Sequence, residues 1–354
     1  MSGRRSETAA RAGALAALAL LSQGCFSAGY VAQAARGELG ILGSARSIRR
    51  VVADRSTPAR VKRLVASVRG IKAYGEAQGL LPTRNYTSYA DLHRPAAVWV
   101  VQACAPLAFE IQRWRFPIVG TIPYLGFFDE AAARRYAASL AAERPLDVDV
   151  RGAAAFSTLG WFHDPVLSTM IPRGDAALGQ LANAVLHESV HATLYIRDQS
   201  AFDESLASFV ADRLTPRWLV ATLGPDARET RAWVAAHAAH RALVARLHRA
   251  YVELDALYRS SETDPRKLAA KEHILGTVRE ELRWSRPLNN ATLADFRTYD
   301  AGTEAFERLL AACQGSWPRF LAALRHVHET SFDRPQQVPF DEVVDRLASH
   351  GCAP

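Results

Sequence analysis

The chain has 354 residues, 49% of them hydrophobic, enough to bury a sizeable core in one large or two small domains. Its net charge of +7 is spread as scattered arginines, with no basic block and no aromatic interleaving, which argues against a nucleic-acid partner.

The N-terminus reads as an export signal. Arg4, Arg5 and Arg11 precede the apolar run Ala12–Leu21, too short to span a bilayer and right for the hydrophobic region of a signal peptide. The run ends at Leu21-Ser22-Gln23-Gly24-Cys25, where a small residue before cysteine is similar to a bacterial lipobox, with Ser22 where leucine is usual. Residues 1–25 are thus expected to be a signal peptide, with Cys25 as lipidation site. The rest would face the periplasm, held at the membrane by a lipid or an uncleaved signal anchor. Cys104, Cys313 and Cys352 show no metal-pair spacing. Two of the three could form a disulfide in an oxidising compartment; the sequence leaves the pairing open.

Residues 28–94 predict two amphipathic packing helices, Tyr30 to Leu42 and Pro58 to Gln78, with Tyr74 and Tyr89 at core or rim positions. Over 95–172 the periodicity changes. Ala96–Ala103 is a strand-like apolar run, and Pro and Gly punctuate short strands between Trp114 and Phe128. Asp129 caps a helix reaching Glu143, and Leu146–Val150 alternates as a strand. Ala154-Ala155-Phe156-Ser157-Thr158 is a further short strand. A small, mostly antiparallel sheet is expected beside the helix that follows. Ala155, Phe156, Ser157 and Thr158 are candidates for pairing with an extended substrate backbone, the alternative being an ordinary core strand.

Residues 175–214 carry the chemistry. The run Asp175–Ile196 reads as a helix with Asp175 as N-cap, and it contains His187-Glu188-Ser189-Val190-His191. Residues four apart share a helix face, so His187 and His191 can hold one Zn²⁺, with Glu188 offset as base for the attacking water. Gln180, Asn183, His187 and His191 make one polar stripe between apolar faces. After Arg197-Asp198-Gln199-Ser200 a second helix starts near Ala201. If antiparallel to the first, it brings Glu204 over the two histidines as third ligand. Residues 215–354 are nearly all helical, with long helices at Trp233–Tyr258 and Pro265–Trp284, a break at Pro287–Ala291, and shorter helices at Phe306–Cys313 and Pro318–His328. His237, His240 and His248 lie among alanines and arginines and are expected to be solvated. The whole is α+β, predominantly helical, read as one metallopeptidase domain over residues 26–354 with parts 28–94, 95–172, 175–214 and 215–354.

Several stretches together resemble a bacterial family of predicted zinc aminopeptidase lipoproteins. They are Gly24-Cys25 with Tyr30 and Gln33; Arg115–Tyr124; Ala155–Phe162 with Asp164-Pro165; the H-E-x-x-H; Asp203–Val210; and Leu288–Ala291. The resemblance implies a zincin-like core of the gluzincin type, with one Zn²⁺ per chain on His187, His191 and Glu204. Asp203 stands where most gluzincins have Asn, and Ser208 where many have Asp.

The expected reaction is hydrolysis of a peptide bond with Glu188 as general base. The developing oxyanion needs a further donor, and Tyr299 and Tyr195 are candidates, with a structural role as the alternative for each. An aminopeptidase must also bind the substrate's α-ammonium, for which Asp203 or Asp164 could serve. The competing readings are an envelope endopeptidase of the same chemistry, and a non-catalytic lipid-anchored scaffold with a vestigial metal site.

Overall fold

Helices dominate the computed structural model, which describes residues 29–116, 120–155, 163–297 and 301–352, with some strand. The architecture is α+β. Helix α1 covers residues 29–44, followed by β1 (Arg46–Ser47), α2 (Ile48–Ala53), α3 (Ala59–Ala77) and β2 (Ser88–Ala90). Next come β3 (Val98–Cys104), β4 (Trp114–Phe116), β5 (Gly120–Ile122), β6 (Leu125–Phe127), α4 (Glu130–Glu143), β7 (Asp147–Ala153) and β8 (Val166–Leu167). The helical remainder is α5 (Ala177–Thr193), α6 (Ser200–Leu223), α7 (Arg228–Arg259), α8 (Asp264–Leu282), α9 (Asn290–Ala294), α10 (Thr303–Ala312), α11 (Trp317–Leu324) and α12 (Asp341–Ser349).

The strands are short and mostly antiparallel, as expected, but they form three separate sheets, β1-β2-β8, β6-β3-β7 and β4-β5, and the single sheet expected against the metal-binding helix is not formed, since α5 packs chiefly on other helices. β3 is the centre of the order β6-β3-β7, and every residue of β3 is buried, as a strand covered on both faces requires. The only parallel pairing among the described strands is β2 with β8. The helices packed on β3 and β7 are α4 and α9, while α5 packs chiefly on α6, α3 and α7. The sheet's apolar cluster of Trp99, Val101, Leu125, Phe127 and Leu140 is distinct from the main core. That core gathers Leu181, Leu186, Phe202, Leu206, Phe306 and Phe320 around α5 and α6.

Three local expectations are corrected. Asp175 does not cap α5, which begins at Ala177; its carboxylate instead pairs with Arg228 at 2.7 Å. α6 does not stop near residue 214 but runs through Pro216 to Leu223, because Leu214, Trp218 and Leu219 continue its buried face. The strand expected at Ala154–Thr158 is not formed at Ala154 and Ala155: β7 ends at Ala153, Thr169 donates its hydroxyl to the Ala154 carbonyl at 2.5 Å, and Ala155 packs on the main core. Phe156, Ser157 and Thr158 lie outside the described residues. By contrast, Asp129 caps α4 as read, accepting the Ala132 N–H at 2.7 Å.

Cys313 and Cys352 form a disulfide that ties the end of α10 to the chain beyond α12, and Cys104 remains a buried thiol. Burial, with the nearby Asp147 charge, pushes the Cys104 thiol up to about 12, which makes it chemically inert. Because the disulfide closes a loop of sequence separation 39, Cys352→Ser should lower unfolding stability by about 2–4 kcal/mol in denaturant titrations. Wild-type protein in excess reductant should show the same loss, and an unchanged midpoint in both would mean that the bridge contributes nothing.

Candidate metal centre

His187 and His191 stand one turn apart on α5, a helix whose Leu181, Val185, Leu186 and Val190 are buried completely. The opposite stripe, Gln180, Asn183 and His187, stays only partly buried, as the polar pattern implies. α5 ends where Leu194 turns extended, and a short connection returns the chain as α6, packed against α5. Asp203 holds this connection closed: its Oδ1 accepts the Ile196 N–H at 2.9 Å. Its neighbour Glu204 then reaches the histidines. The Nε2 atoms of His187 and His191 are 3.2 Å apart; Glu204 Oε2 lies 3.3 Å from His187 Nε2, and Oε1 3.6 Å from His191 Nε2.

These distances test the donor set against a metal. Tetrahedral zinc with ligands at about 2.0–2.1 Å places its donors roughly 3.3 Å from one another. The three observed separations bracket that value, and the trio is the one metal-ligating cluster among the described residues. Two imidazoles and a carboxylate with an open side match a catalytic rather than a closed structural zinc site. The Glu204 side chain is 65% exposed, so the open side faces solvent. His191 Nδ1 is buried without a partner among the described residues, so none of these orients that ring through its second nitrogen.

The electrostatics of His191, Glu204 and Glu188 suit their roles, while His187 is held towards the protonated form by the acids around it. Burial lowers the His191 imidazole to about 4, aided by repulsion from His187 and opposed by Glu204, so the ring is neutral and its lone pair free to coordinate. On His187 burial also pulls downward, but the Glu204 hydrogen bond and the charges of Glu188, Glu204 and Asp212 outweigh it and raise the value. Glu204 is the converse: burial pushes it up, and the two histidines bring it below the usual carboxylate range. Glu188 is not a ligand in this geometry. Burial pushes its carboxyl up to about 7, with Glu204 and Asp164 adding and His187 opposing, which suits a group that takes and returns a proton near neutrality.

A cavity of about 510 Å³ opens beside Glu204, between the polar stripe of α5, the face of α6 and α7. α7 comes this close because position 179 on α5 is glycine: a Cβ there would lie 2.7 Å from Trp233. Asn183 donates to Asp212 Oδ1 at 3.0 Å, and His237 Nε2 lies 3.1 Å from Asp212 Oδ2. His237, expected to be solvated, is instead partly buried against the Asp212 carboxylate, stacked on Trp233 and part of the cavity wall. His240 lines the same wall, and His248 is bonded to the Phe296 carbonyl at 2.8 Å. His240 is exposed, as expected; the sequence misleads at His237 and His248 because the surrounding alanines and arginines conceal that α7 turns a face inward.

The other predicted residues sort clearly. Asp203 is buried and bonded to the α5–α6 connection, so it is not open to a substrate ammonium. Burial and the Glu204 charge push its carboxyl up to about 7, against the Ile196 hydrogen bond. Asp164 is buried near Glu188, on which its charge acts. Tyr195 is 47% exposed, and Asp203 and Asp198 act on it more strongly than Glu204 does. Tyr299 and Cys25 lie outside the described residues.

Two residues escape the sequence reading. Tyr124, in the turn between β5 and β6, is influenced by Glu204 more than by any other charge; burial and that charge push its phenol up to about 12. Tyr86 is buried, sits in the left-handed region at φ 61°, and is raised well above its usual value by burial and then by Glu188 and Asp164. A bulky residue held in that backbone region stores strain of about 1–3 kcal/mol, a feature that clusters at functional sites. The only sequence signal for Tyr124 is that it ends one of the stretches carrying the family resemblance.

No helix among the described residues is long and apolar enough to cross a membrane. No curated protein and no solved structure matches the chain. Residues 29–338, which span the metal centre and both tyrosines, match the family described as "Putative aminopeptidase", and the chain belongs to that family.

Proposed function

We propose that the chain is a zinc-dependent peptidase of the gluzincin type, with a zincin-like core, that removes residues from the free N-termini of peptides. The observation that carries this reading is the convergence of His187 Nε2, His191 Nε2 and Glu204 at tetrahedral spacing, with Glu188 beside them but outside the ligand set. His187, His191 and Glu204 would hold one Zn²⁺. When bound, the ion supplies Lewis acidity, polarising the scissile carbonyl and acidifying water. Glu188 accepts the proton of the attacking water and returns it to the leaving amine. Tyr124 donates a hydrogen bond to the oxygen on which charge develops.

The lipobox-like Leu21–Cys25 supports export and anchoring of the protein at the periplasmic face of a membrane through Cys25. The Cys313–Cys352 disulfide is in keeping with an oxidising compartment.

The test is metal analysis of the purified protein joined to cleavage of a matched peptide pair, one with a free N-terminus and one acetylated. About one zinc per chain and cleavage of the free peptide alone is the expected result. Cleavage of both would reassign the enzyme as an endopeptidase. A zinc-reconstituted protein that cleaves neither would leave the centre as a vestigial site on a scaffold.

A further inference from the structure

The positive charge of the chain is unevenly shared along it. Residues 29–70 hold nine Lys and Arg against two acids, a net of +7, which equals the net charge of the entire chain. Residues 71–354 hold 31 Lys and Arg against 33 Asp and Glu, close to neutral. The arginines form no run in the sequence, so the excess shows only when α1, α2 and α3 are taken as one surface. These helices turn Ile41, Val51 and Leu64 into the main core. Outward, they and the α2–α3 connection carry Arg36, Arg49, Arg50, Arg55, Arg63 and Arg69. All six are exposed, and none of these side chains has an ion-pair or hydrogen-bond partner among the described residues.

The two acids of the stretch do not neutralise this surface. Glu38 is buried, and Asp54 accepts a hydrogen bond from Arg46 Nη1 at 2.7 Å. The exposed apolar side chains Val31, Leu39 and Val52 stand among the cations, at 54%, 63% and 38% exposure. On α3 the division of faces is regular. Leu64, Val65, Val68 and Ile71 are buried on the side that packs on α5, while Arg63, Ala66, Arg69 and Gly70 are exposed. Cations interspersed with apolar side chains match a bilayer surface, where phosphate groups lie above hydrocarbon. The position in the chain favours the same partner: α1 begins at residue 29, four residues after the lipobox-like Cys25.

We propose that the outer faces of α1, α2 and α3 form a docking surface for an anionic phospholipid bilayer. The proposal rests on the membrane-anchored reading above and goes beyond it. A tether through Cys25 fixes one end of the chain and leaves the orientation of the folded part open. Six unpaired arginines on one side supply that orientation, because each is drawn to the lipid phosphates within a screening length of about 10 Å and their contributions add. A lipid chain and a basic surface are also the two signals that together make peripheral attachment stable. Docked in this way, α3 separates the lipid from α5, the helix that carries His187 and His191.

The experiment is co-sedimentation with vesicles of phosphatidylcholine alone and of phosphatidylcholine mixed with phosphatidylglycerol. It uses protein beginning at residue 26, which lacks Cys25 but keeps every described element and all three apolar clusters. Its melting temperature is compared with that of the full-length chain. The site variant is Arg49→Gln, Arg50→Gln, Arg63→Gln and Arg69→Gln together. The control removes the same charge from exposed positions elsewhere, as Arg231→Gln, Arg259→Gln, Arg283→Gln and Arg334→Gln. Wild type and control should bind the phosphatidylglycerol vesicles, and the site variant should bind them roughly 10- to 1000-fold more weakly. Raising the salt from about 0.05 M to about 0.5 M should release the wild type. Equal wild-type binding to both vesicle types would overturn the proposal. So would a control that loses as much affinity as the site variant, since net charge rather than this surface would then be responsible. If the fourfold variant fails to fold, the pairs Arg49→Gln with Arg50→Gln and Arg63→Gln with Arg69→Gln carry the same requirement, each at roughly 3- to 30-fold. Mass analysis of the Cys25 peptide from the full-length protein tests the anchor separately. An unmodified Cys25 beside intact vesicle binding would remove the lipid tether and keep the docking surface.

Discussion

Glu188→Gln should abolish most peptide cleavage, lowering kcat by about 10²- to 10⁴-fold, while bound zinc stays near one equivalent. The substitution keeps the shape of the side chain and removes only its capacity to take a proton. Glu188 lies outside the trio of His187, His191 and Glu204, so the ligand set is untouched. His187→Ala makes the complementary case. It removes one of the donors whose Nε2–Nε2 and Nε2–Oε2 separations are 3.2 and 3.3 Å, and leaves too few protein ligands for a stable zinc site. That variant should lose metal as well as turnover. Together the two separate chemistry from coordination: the first must be metal-loaded and slow, the second metal-poor and slow. Normal turnover in Glu188→Gln would reject the general-base role, and unchanged zinc in His187→Ala would reject the ligand assignment.

The ligand trio is legible in the sequence because its geometry is almost entirely local. His187 and His191 are fixed by the helical period, and Glu204 follows through a connection short enough that α6 has to return along α5. The same locality explains why the α4 cap and the central strand β3 are readable. What escapes depends on segments far apart in the chain. His237 reads as solvated because its neighbours are alanines and arginines, yet the glycine at position 179 lets Trp233 approach α5 and turns that face of α7 inward. The expected metal-binding part closes at residue 214, whereas the buried face beyond it, Thr215, Trp218 and Leu219, carries α6 on through Pro216. The pairing of Cys313 with Cys352 is equally out of reach, since it depends on α10 packing against α12.

The oxyanion donor is decided by which tyrosine feels the metal-side carboxylate most. For Tyr124 the strongest charge is Glu204; for Tyr195 both Asp203 and Asp198 act more strongly than Glu204. Of the two, Tyr124 is thus the one whose phenol responds chiefly to the metal-side carboxylate. The phenol of Tyr124, pushed up to about 12 chiefly by burial, stays protonated through neutral and moderately alkaline pH and can donate throughout. Tyr124→Phe removes that donor and little else, since the residue lies outside the apolar clusters. It should lower kcat roughly 10²- to 10³-fold, as loss of one oxyanion donor does elsewhere, with KM changed far less and zinc content unchanged. Tyr195→Phe should change kcat by no more than a few-fold, about the scale of a rim contact. The reverse ranking in parallel kinetics would transfer the donor role to Tyr195, and full activity in both variants would show that neither hydroxyl stabilises the transition state.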